Sequence, residues 1–432
     1  MAGEYLWIIL IVFLVMIMLR VPVGYAMLLV CMGFVLITQR LSASSIPLNI
    51  ISGVGNYSVL CSPFFILVGY LMNAAGITER LFGFAECCVG HITGGMGHVN
   101  ILASLIFAGM SGSANADAAG LGNIEIKAMV DRGYDADFAV GITAASSTIG
   151  PIFPPSNPMV LVGITCGISI GALFMGGIMT GIIMALFMGV TVYLIARKRN
   201  YPVSERAPLK KVWKEFRYSF WALMCPVILL YCLQNGNITN TEAGVTALVY
   251  ALFVSLVIYR QVTVKDLYPI FLQAINSVGL VLFLIGTGKI FSVVLGDQKI
   301  GEVVSSALFS ISSNPYVILL LINIFLLFLG TFMETVAAIT IAAPILFPIV
   351  AALGMGPVQF GVIFVLNLMI GLLTPPMAVC LFITAKIGGI SFERAFKAVT
   401  PYYIALLLVL LLINVFPAIT LWIPELLLGG YM

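Results

Sequence analysis

The strongest constraint on this chain is an interruption that occurs twice. Proline pairs stand at Pro154-Pro155 and Pro375-Pro376, 221 residues apart, inside stretches rich in Leu, Ile, Val and Phe. Proline removes a backbone donor and excludes the helical hydrogen bond to the carbonyl four residues back, so each pair must break a helix. The same offset of 221 separates Gly150 (STIGPIFPPSNP) from Gly371 (LMIGLLTPPMAV), and Gly109 from Gly330. GISIGALF from Gly167 resembles GISFERAF from Gly389 at an offset of 222. Four landmarks at one spacing mark two duplicated halves.

The medium around these halves follows from charge. Only 9% of the 432 residues are charged, against about 25% in a soluble domain. Such a chain cannot clothe a soluble surface, so its exterior faces lipid. The apolar stretches lack the two-residue alternation of an outer-membrane barrel, and many approach the roughly 20 residues of a helical span. The sequence therefore predicts an all-α polytopic membrane protein. Tyr5–Leu19 has no basic residue before it and no small-residue cleavage site after it, so it reads as a retained first span rather than a signal peptide. Eight cysteines lie in or beside apolar segments without metal spacing and read as small core residues. His91 and His98, in HITGGMGH, read as turn or interfacial residues, and no basic patch of the nucleic-acid kind is present.

Orientation follows from the one strongly basic stretch, Arg197–Arg217, which the positive-inside rule places in the cytoplasm. No Lys or Arg precedes Arg20 or follows Lys397. The first half should then start outside and end inside, and the second should do the reverse: inverted repeats, a layout of many secondary transporters. Spans are expected over Tyr5–Leu19, Pro22–Thr38 and Pro63–Ala75, then Phe220–Leu233, Gly244–Tyr259 and Val278–Lys289. The amphipathic stretches Ser45–Tyr57 and Thr263–Ile275 read as interfacial arms.

Two segments cannot be ordinary spans. GMSGSANADAAGLG (Gly109–Gly122) holds four glycines, two serines, Asn115 and Asp117. Irregular backbone at membrane depth persists only where protein buries it or it lines a cavity. Ile101–Val130 is therefore expected to form a re-entrant helical hairpin with its tip near Ser111–Asn115 and its base, at Lys127, Asp131 and Arg132, on the cytoplasmic side. A tight small-residue helix crossing is the alternative, and it leaves Asn115 and Asp117 unsatisfied. The counterpart, Gly330–Pro357, carries Glu334 and Thr335 near its tip and Pro344 and Pro348 in its return arm. An intramembrane carboxylate is a functional candidate, although Glu334 can equally cap a helix N-terminus. Each proline pair should split a span into two half-helices and free carbonyls such as those of Gly150, Phe153 and Gly371. Such oxygens are hard ligands for Na⁺, and half-helix N-termini suit an anion. Ser146, Ser147, Thr148, Ser156, Asn157 and Thr374 stand nearby to complete the shells.

SGSANADAAGLG, then Gly133-Tyr134, then TIGPIFPPS, followed in the second half by METVAAITIAAPILFPI and QFGVIFVLNLMIGLLTPP, resembles the large membrane subunit of tripartite ATP-independent periplasmic (TRAP) transporters. The resemblance covers nearly the whole chain. It implies a bacterial inner-membrane carrier of the elevator type, in which hairpins and broken helices slide against a fixed scaffold. On that division 1–76 and 219–290 are scaffold and arm, 77–196 and 291–432 are transport elements, and 197–218 is a cytoplasmic linker. It further implies sodium coupling by two or more ions, a periplasmic solute-binding protein that delivers an organic acid, and a four-span small subunit. No four-span block precedes Tyr5, so that subunit is expected as a separate chain. By resemblance, one sodium site uses Ser111, Ser113 or Asn115 with Gly150, Phe153 and Pro155, and the other uses Glu334, Thr335, Gly371, Thr374 and Met377. The substrate is expected between the tips, near Ser113, Asp117, Ser156, Asn157, Thr335 and Pro376.

Three rivals remain at this level. A divalent-anion/sodium symporter would work without a binding protein, and a channel would conduct without coupling. A membrane enzyme would need paired aspartates, a metal site or a Ser/His pair, and no HExxH, GxGD or DDxxD occurs.

Overall fold

Leu-, Ile- and Val-rich runs punctuated by Gly, Pro, Ser and Asn fold into helices that begin and end at those residues. The structure, a computed structural model, describes residues 5–203, 205–234 and 238–429. Residues 1–4, 204, 235–237 and 430–432 of the expected segments lie outside these. The first half contains α1 (Leu6–Met18), α2 (Val23–Thr38), α3 (Ser45–Val54), α4 (Cys61–Ala74) and α5 (Ile77–Val89). It continues with α6 (Gly95–Ser111), α7 (Ala114–Asp131), α8 (Ala136–Ser146), α9 (Asn157–Cys166) and α10 (Ile170–Arg199). The second half contains α11 (Leu209–Gln234), α12 (Asn240–Phe253), α13 (Val264–Asp297), α14 (Ile300–Ile311) and α15 (Pro315–Phe332). It ends with α16 (Thr335–Ala352), α17 (Pro357–Gly371), α18 (Val379–Gly388), α19 (Phe392–Val415) and α20 (Ala418–Leu428). Among the described residues there is no strand, and eight helices are long and apolar enough to cross a membrane.

The duplication is visible in the backbone. α6–α7 and α15–α16 are the two hairpins, and α8–α9 and α17–α18 the two broken helices. Gly133 (φ 84°) and Gly354 (φ 85°), again 221 apart, turn the chain after each hairpin in the left-handed region that glycine tolerates. Two ion pairs show the inversion. Arg199, in the last turn of α10, pairs with Asp135 at 2.7 Å, and Arg394, in the first turn of α19, pairs with Asp137 at 2.8 Å. Equivalent helices thus meet one level of the molecule with opposite ends. Arg199 belongs to the basic stretch, so the base of the first hairpin lies at the same level as that stretch. There the Tyr201 hydroxyl and the Arg199 guanidinium hold the Asp135 carboxyl below the usual carboxylate range.

The halves interlock. α18 lies along α7 and α8, while α9 lies along α16 and α17, so each half-helix beyond a break docks on the other half's hairpin. Residues Phe138–Ser146 of α8 and Val358–Gly371 of α17 are buried on all sides and form the centre of the bundle. Around the outside, Trp7, Ile8, Ile11 and Leu14 of α1 and Leu186, Val190 and Leu194 of α10 remain exposed, as a lipid-facing surface requires.

One expected boundary is absent. Ser45–Tyr57 does form a separate arm, because Gly55 ends α3 and the Asn56 side chain accepts from the Ser58 N–H to start a new turn. Its counterpart Thr263–Ile275 runs without a break through Val278–Lys289 as the single 34-residue helix α13. Gly279 there faces open space and meets nothing that would kink the helix. The basic stretch is likewise shorter as a linker than 197–218: Arg197–Arg199 close α10, and Lys210–Arg217 open α11.

Candidate functional site

Each hairpin tip is built by a cap. The Ser113 hydroxyl accepts from the Ala116 N–H and starts α7. The Glu334 carboxylate, 221 residues on, accepts from the N–H groups of Val336 and Ala337 at 3.0 and 3.3 Å and starts α16. The capping alternative for Glu334 is therefore what the structure shows, yet the residue remains exposed to the adjoining cavity. Caps of this kind contribute about 1 kcal/mol each.

Each tip is pressed against its own half's break. A methyl group at Gly112 (φ 57°) would lie 2.5 Å from the Pro155 carbonyl oxygen, and Gly150 approaches the Ser113 backbone. In the second half a methyl group at Gly371 would lie 2.5 Å from the Gly330 carbonyl carbon. There the Met377 N–H donates to the Thr331 carbonyl at 3.3 Å, and the Thr374 N–H to that of Gly371 at 2.8 Å. Two half-sites of backbone and hydroxyl oxygens result. The first contains a buried hydroxyl without a hydrogen-bond partner, Ser111 Oγ, which is the kind of orphan oxygen a cation can engage.

Between the tips opens a cavity of about 600 Å³. Ser111–Ala116 and Glu334–Val336 line it from the tips, Pro151, Asn157 and Pro158 from the first break, and Met369 and Leu372 from α17. The opposite wall belongs to α4 (Ile66, Gly69, Tyr70, Asn73) and α13 (Ser277, Val281), clasped by a 2.8 Å hydrogen bond between the Tyr70 and Ser277 hydroxyls. Asn157 is held by the Ser62 hydroxyl of α4 at 3.2 Å.

The structure thus brings Ser113, Asn157 and Thr335 to the cavity, and places the other three expected substrate residues elsewhere. Ser156 is buried, capping α9 through the Met159 N–H and donating to the Pro151 carbonyl. Pro376 is exposed away from the cavity lining. Asp117 points into the protein, because Asn115, Ala116 and Ala119 take the cavity face of α7 and the helical period carries Asp117 away. Of the expected sodium residues, Ser111, Ser113, Asn115, Gly150 and Pro155 gather at the first tip, where Asn115 Oδ1 also accepts from the Cys380 thiol at 3.3 Å. Phe153 packs its ring over Gly181. Glu334, Thr335, Gly371, Thr374 and Met377 surround the second tip and break.

A buried network behind the first hairpin was not expected. Glu125, eight residues after Asp117 and fully buried, accepts from Asn100 Nδ2 at 2.6 Å, and Asn100 also bonds Thr143 and Ser146. The matching place in the second half is held by Asn323, Asn367 and Asn414, with Asn367 standing 221 residues after Ser146. Both networks tie a hairpin's outer arm to the neighbouring broken helix. The polar residues Tyr70 and Asn73 of α4 and Ser277 of α13, on the opposite wall of the cavity, were not expected either. Their signal was a polar side chain in an otherwise apolar span.

A family model described as "Tripartite ATP-independent periplasmic transporter, DctM component" matches residues 10–419. The sialic acid TRAP transporter large permease protein SiaM of Vibrio cholerae is 42% identical over 408 residues, covering 94% of this chain and 96% of that one. The sialic acid TRAP transporter permease protein SiaT of Haemophilus influenzae is 38% identical over 427 residues, 99% of this chain and 69% of that one. The C4-dicarboxylate TRAP transporter large permease protein DctM of Pseudomonas aeruginosa is 35% identical over 384 residues, 89% and 90% of the two chains. Among solved structures, the YdaH transporter of Alcanivorax borkumensis superposes with a TM-score of 0.59 at 14% identity, over 87% of this chain and 89% of that one. At that identity the likeness speaks for the fold alone.

Proposed function

The chain belongs to the DctM-component family of tripartite ATP-independent periplasmic transporters, multi-pass proteins of the inner membrane, and from that premise we propose sodium-coupled uptake of an organic acid by an elevator motion. The observation that carries this reading is the cavity itself. Two caps at symmetry-equivalent positions, Ser113 and Glu334, meet across about 600 Å³, and the wall facing them comes from different helices, α4 and α13. A cargo held by the tips can travel with the hairpins while that wall stays fixed. The helix N-termini at both tips favour an anionic group, and the backbone-rich half-sites favour sodium. Each charge crossing 100 mV supplies about 2.3 kcal/mol, so two or more sodium ions can drive an anion inward against its own gradient.

On this proposal a periplasmic binding protein delivers the acid, and a small four-span membrane subunit accompanies this chain. The substrate class is that of the relatives, a sialic acid or a C4-dicarboxylate. The test is uptake of radiolabelled N-acetylneuraminate and of succinate into proteoliposomes that hold this chain and its small subunit, with the binding protein outside. Uptake should require an inward sodium gradient and the binding protein. Uptake driven by a proton gradient alone would refute sodium coupling, and uptake without the binding protein would favour the symporter alternative.

A further inference from the structure

Arg80 is the most deeply buried cation that lacks an anion among the described residues. It lies in α5 at 8% exposure, and its guanidinium carbon sits 3.9 Å from the ring centroids of both Tyr218 and Tyr259. Three other arginines of this level have carboxylates: Arg132 pairs with Glu86, Arg199 with Asp135 and Arg394 with Asp137. The Arg80 side chain makes no hydrogen bond or ion pair among the described residues, and its backbone is fixed because its carbonyl accepts from the Ser219 hydroxyl at 3.0 Å. Ring faces stabilise a cation, but they leave the planar edge of the guanidinium, with its five donors, unpaired. No Arg80 nitrogen is both buried and unpaired, so the edge stays open to an anion arriving from outside the protein, where a guanidinium makes its strongest hydrogen bonds.

The surroundings identify which one. Tyr259 is locked in place, donating to the Tyr218 carbonyl at 3.2 Å and accepting from the Ala222 N–H at 3.2 Å. Arg217 and Arg260 flank the two tyrosines in sequence, and both are exposed. Lys210, Lys211 and Lys214 precede them at the start of α11, interleaved with exposed Trp213, Tyr218 and Trp221. Basic residues mixed with amphipathic rings mark a cytoplasmic membrane interface. Two carboxylates lie near: Glu79, exposed beside Arg80 on α5, and Glu215, which approaches Gly83 one turn further along. Neither pairs with Arg80, and the basic residues outnumber them.

We propose that Arg80, held between Tyr218 and Tyr259 and flanked by Arg217 and Arg260, is a binding site for the phosphate headgroup of an anionic phospholipid of the cytoplasmic leaflet. A guanidinium fork matches phosphate oxygens two at a time, which lysine cannot do. The site lies where α5 of the first half meets α11 and Tyr259 of the second, so a bound lipid would brace the two halves against each other rather than touch the cargo cavity.

The test uses the purified transporter complex, delipidated in detergent and titrated with phosphatidylglycerol, with phosphatidylcholine and with inorganic phosphate. Lipid retention by native mass spectrometry and the rise in unfolding temperature are the readouts. Phosphatidylglycerol should be retained and should stabilise the wild type, and phosphatidylcholine and inorganic phosphate should do so far less. Arg80→Gln should weaken phosphatidylglycerol binding about tenfold or more, and Arg80→Lys, which keeps the charge but loses the fork, should weaken it by a smaller factor. Tyr259→Phe keeps the ring and loses the hydroxyl bonds, so it should lower the lipid-free unfolding temperature while retaining the lipid. Equal retention by wild type and Arg80→Gln overturns the proposal, as does loss of the lipid in Tyr259→Phe to the same extent as in Arg80→Gln. Stabilisation by inorganic phosphate as strong as that by the lipid overturns the lipid assignment. Loss of small-subunit association in Arg80→Gln with lipid retention unchanged would assign the fork to a carboxylate of that subunit instead.

Discussion

Replacing Gly112 with alanine isolates the contact between the first hairpin tip and the first break. Two costs arise from the geometry. The residue sits at φ 57°, where an L side chain costs roughly 1–2 kcal/mol. Its new methyl group would stand 2.5 Å from the Pro155 carbonyl oxygen, where an ordinary contact begins at 3.4 Å, so the break must withdraw by about 0.9 Å. Pro155 is buried and its backbone cannot swing aside as a flexible side chain would. Overpacking of this kind adds about 1–3 kcal/mol. The sum, about 2–5 kcal/mol, falls on the docking of the tip, where the proposed first sodium site is assembled. At about 1.4 kcal/mol per tenfold, even the lower bound weakens apparent sodium affinity some thirtyfold. The assay is uptake into proteoliposomes against external sodium, paired with sodium-dependent thermal stabilisation of the detergent-purified complex. Gly133→Ala is the matched control: it carries the same backbone strain at φ 84° but has nothing within 4 Å of the added methyl group. It should cost stability and leave the sodium response unchanged. A Gly112→Ala transporter with wild-type sodium half-saturation would refute the reasoning, as would a Gly133→Ala variant that shifts as far.

Three further outcomes follow from the same geometry. Glu334→Gln keeps an acceptor for the Val336 and Ala337 N–H groups but loses the charge, so it should retain the fold while raising the sodium half-saturation. Glu334→Ala loses the cap as well and should cost about 1 kcal/mol more in thermal or denaturant unfolding. Asn367→Leu removes the 2.8 Å bond to Asn323, and should lower stability by about 0.6–1.7 kcal/mol in detergent unfolding with uptake retained. In a cysteine-free background, cysteines at Gly69 and Ser111 should crosslink, because a methyl group at Gly69 would lie 3.4 Å from the Ser111 Cα. If the hairpin travels past α4, the crosslinked transporter should be inactive until reduced, and full uptake in the crosslinked state would refute the motion.

What was legible in the sequence was whatever breaks a regular span. Gly112, Ser113, Glu334 and the two proline pairs advertise a tip or a break because no lipid-facing helix tolerates them, and the offset of 221 made each half a check on the other. The continuous α13 was not legible, since Ser277 and Gly279 look like a boundary and helix propensity is only a weak prior of about 1 kcal/mol per glycine. Packing against α2, α3 and α4 overrides it. Side-chain direction was the other gap. Asp117 and Asn115 are two residues apart, yet a helix turns about 100° per residue, so one faces the protein and the other the cavity. Proximity in sequence identified the tip, and only the helical phase separates the residues that can meet a cargo from those that hold the tip in shape. By that criterion Ser113, Asn157, Thr335 and Glu334 belong to the cavity, while Asp117, Glu125 and Asn100 belong to the structure behind it. Substitutions in the first set should change sodium or substrate dependence before they change stability, and those in the second should do the reverse.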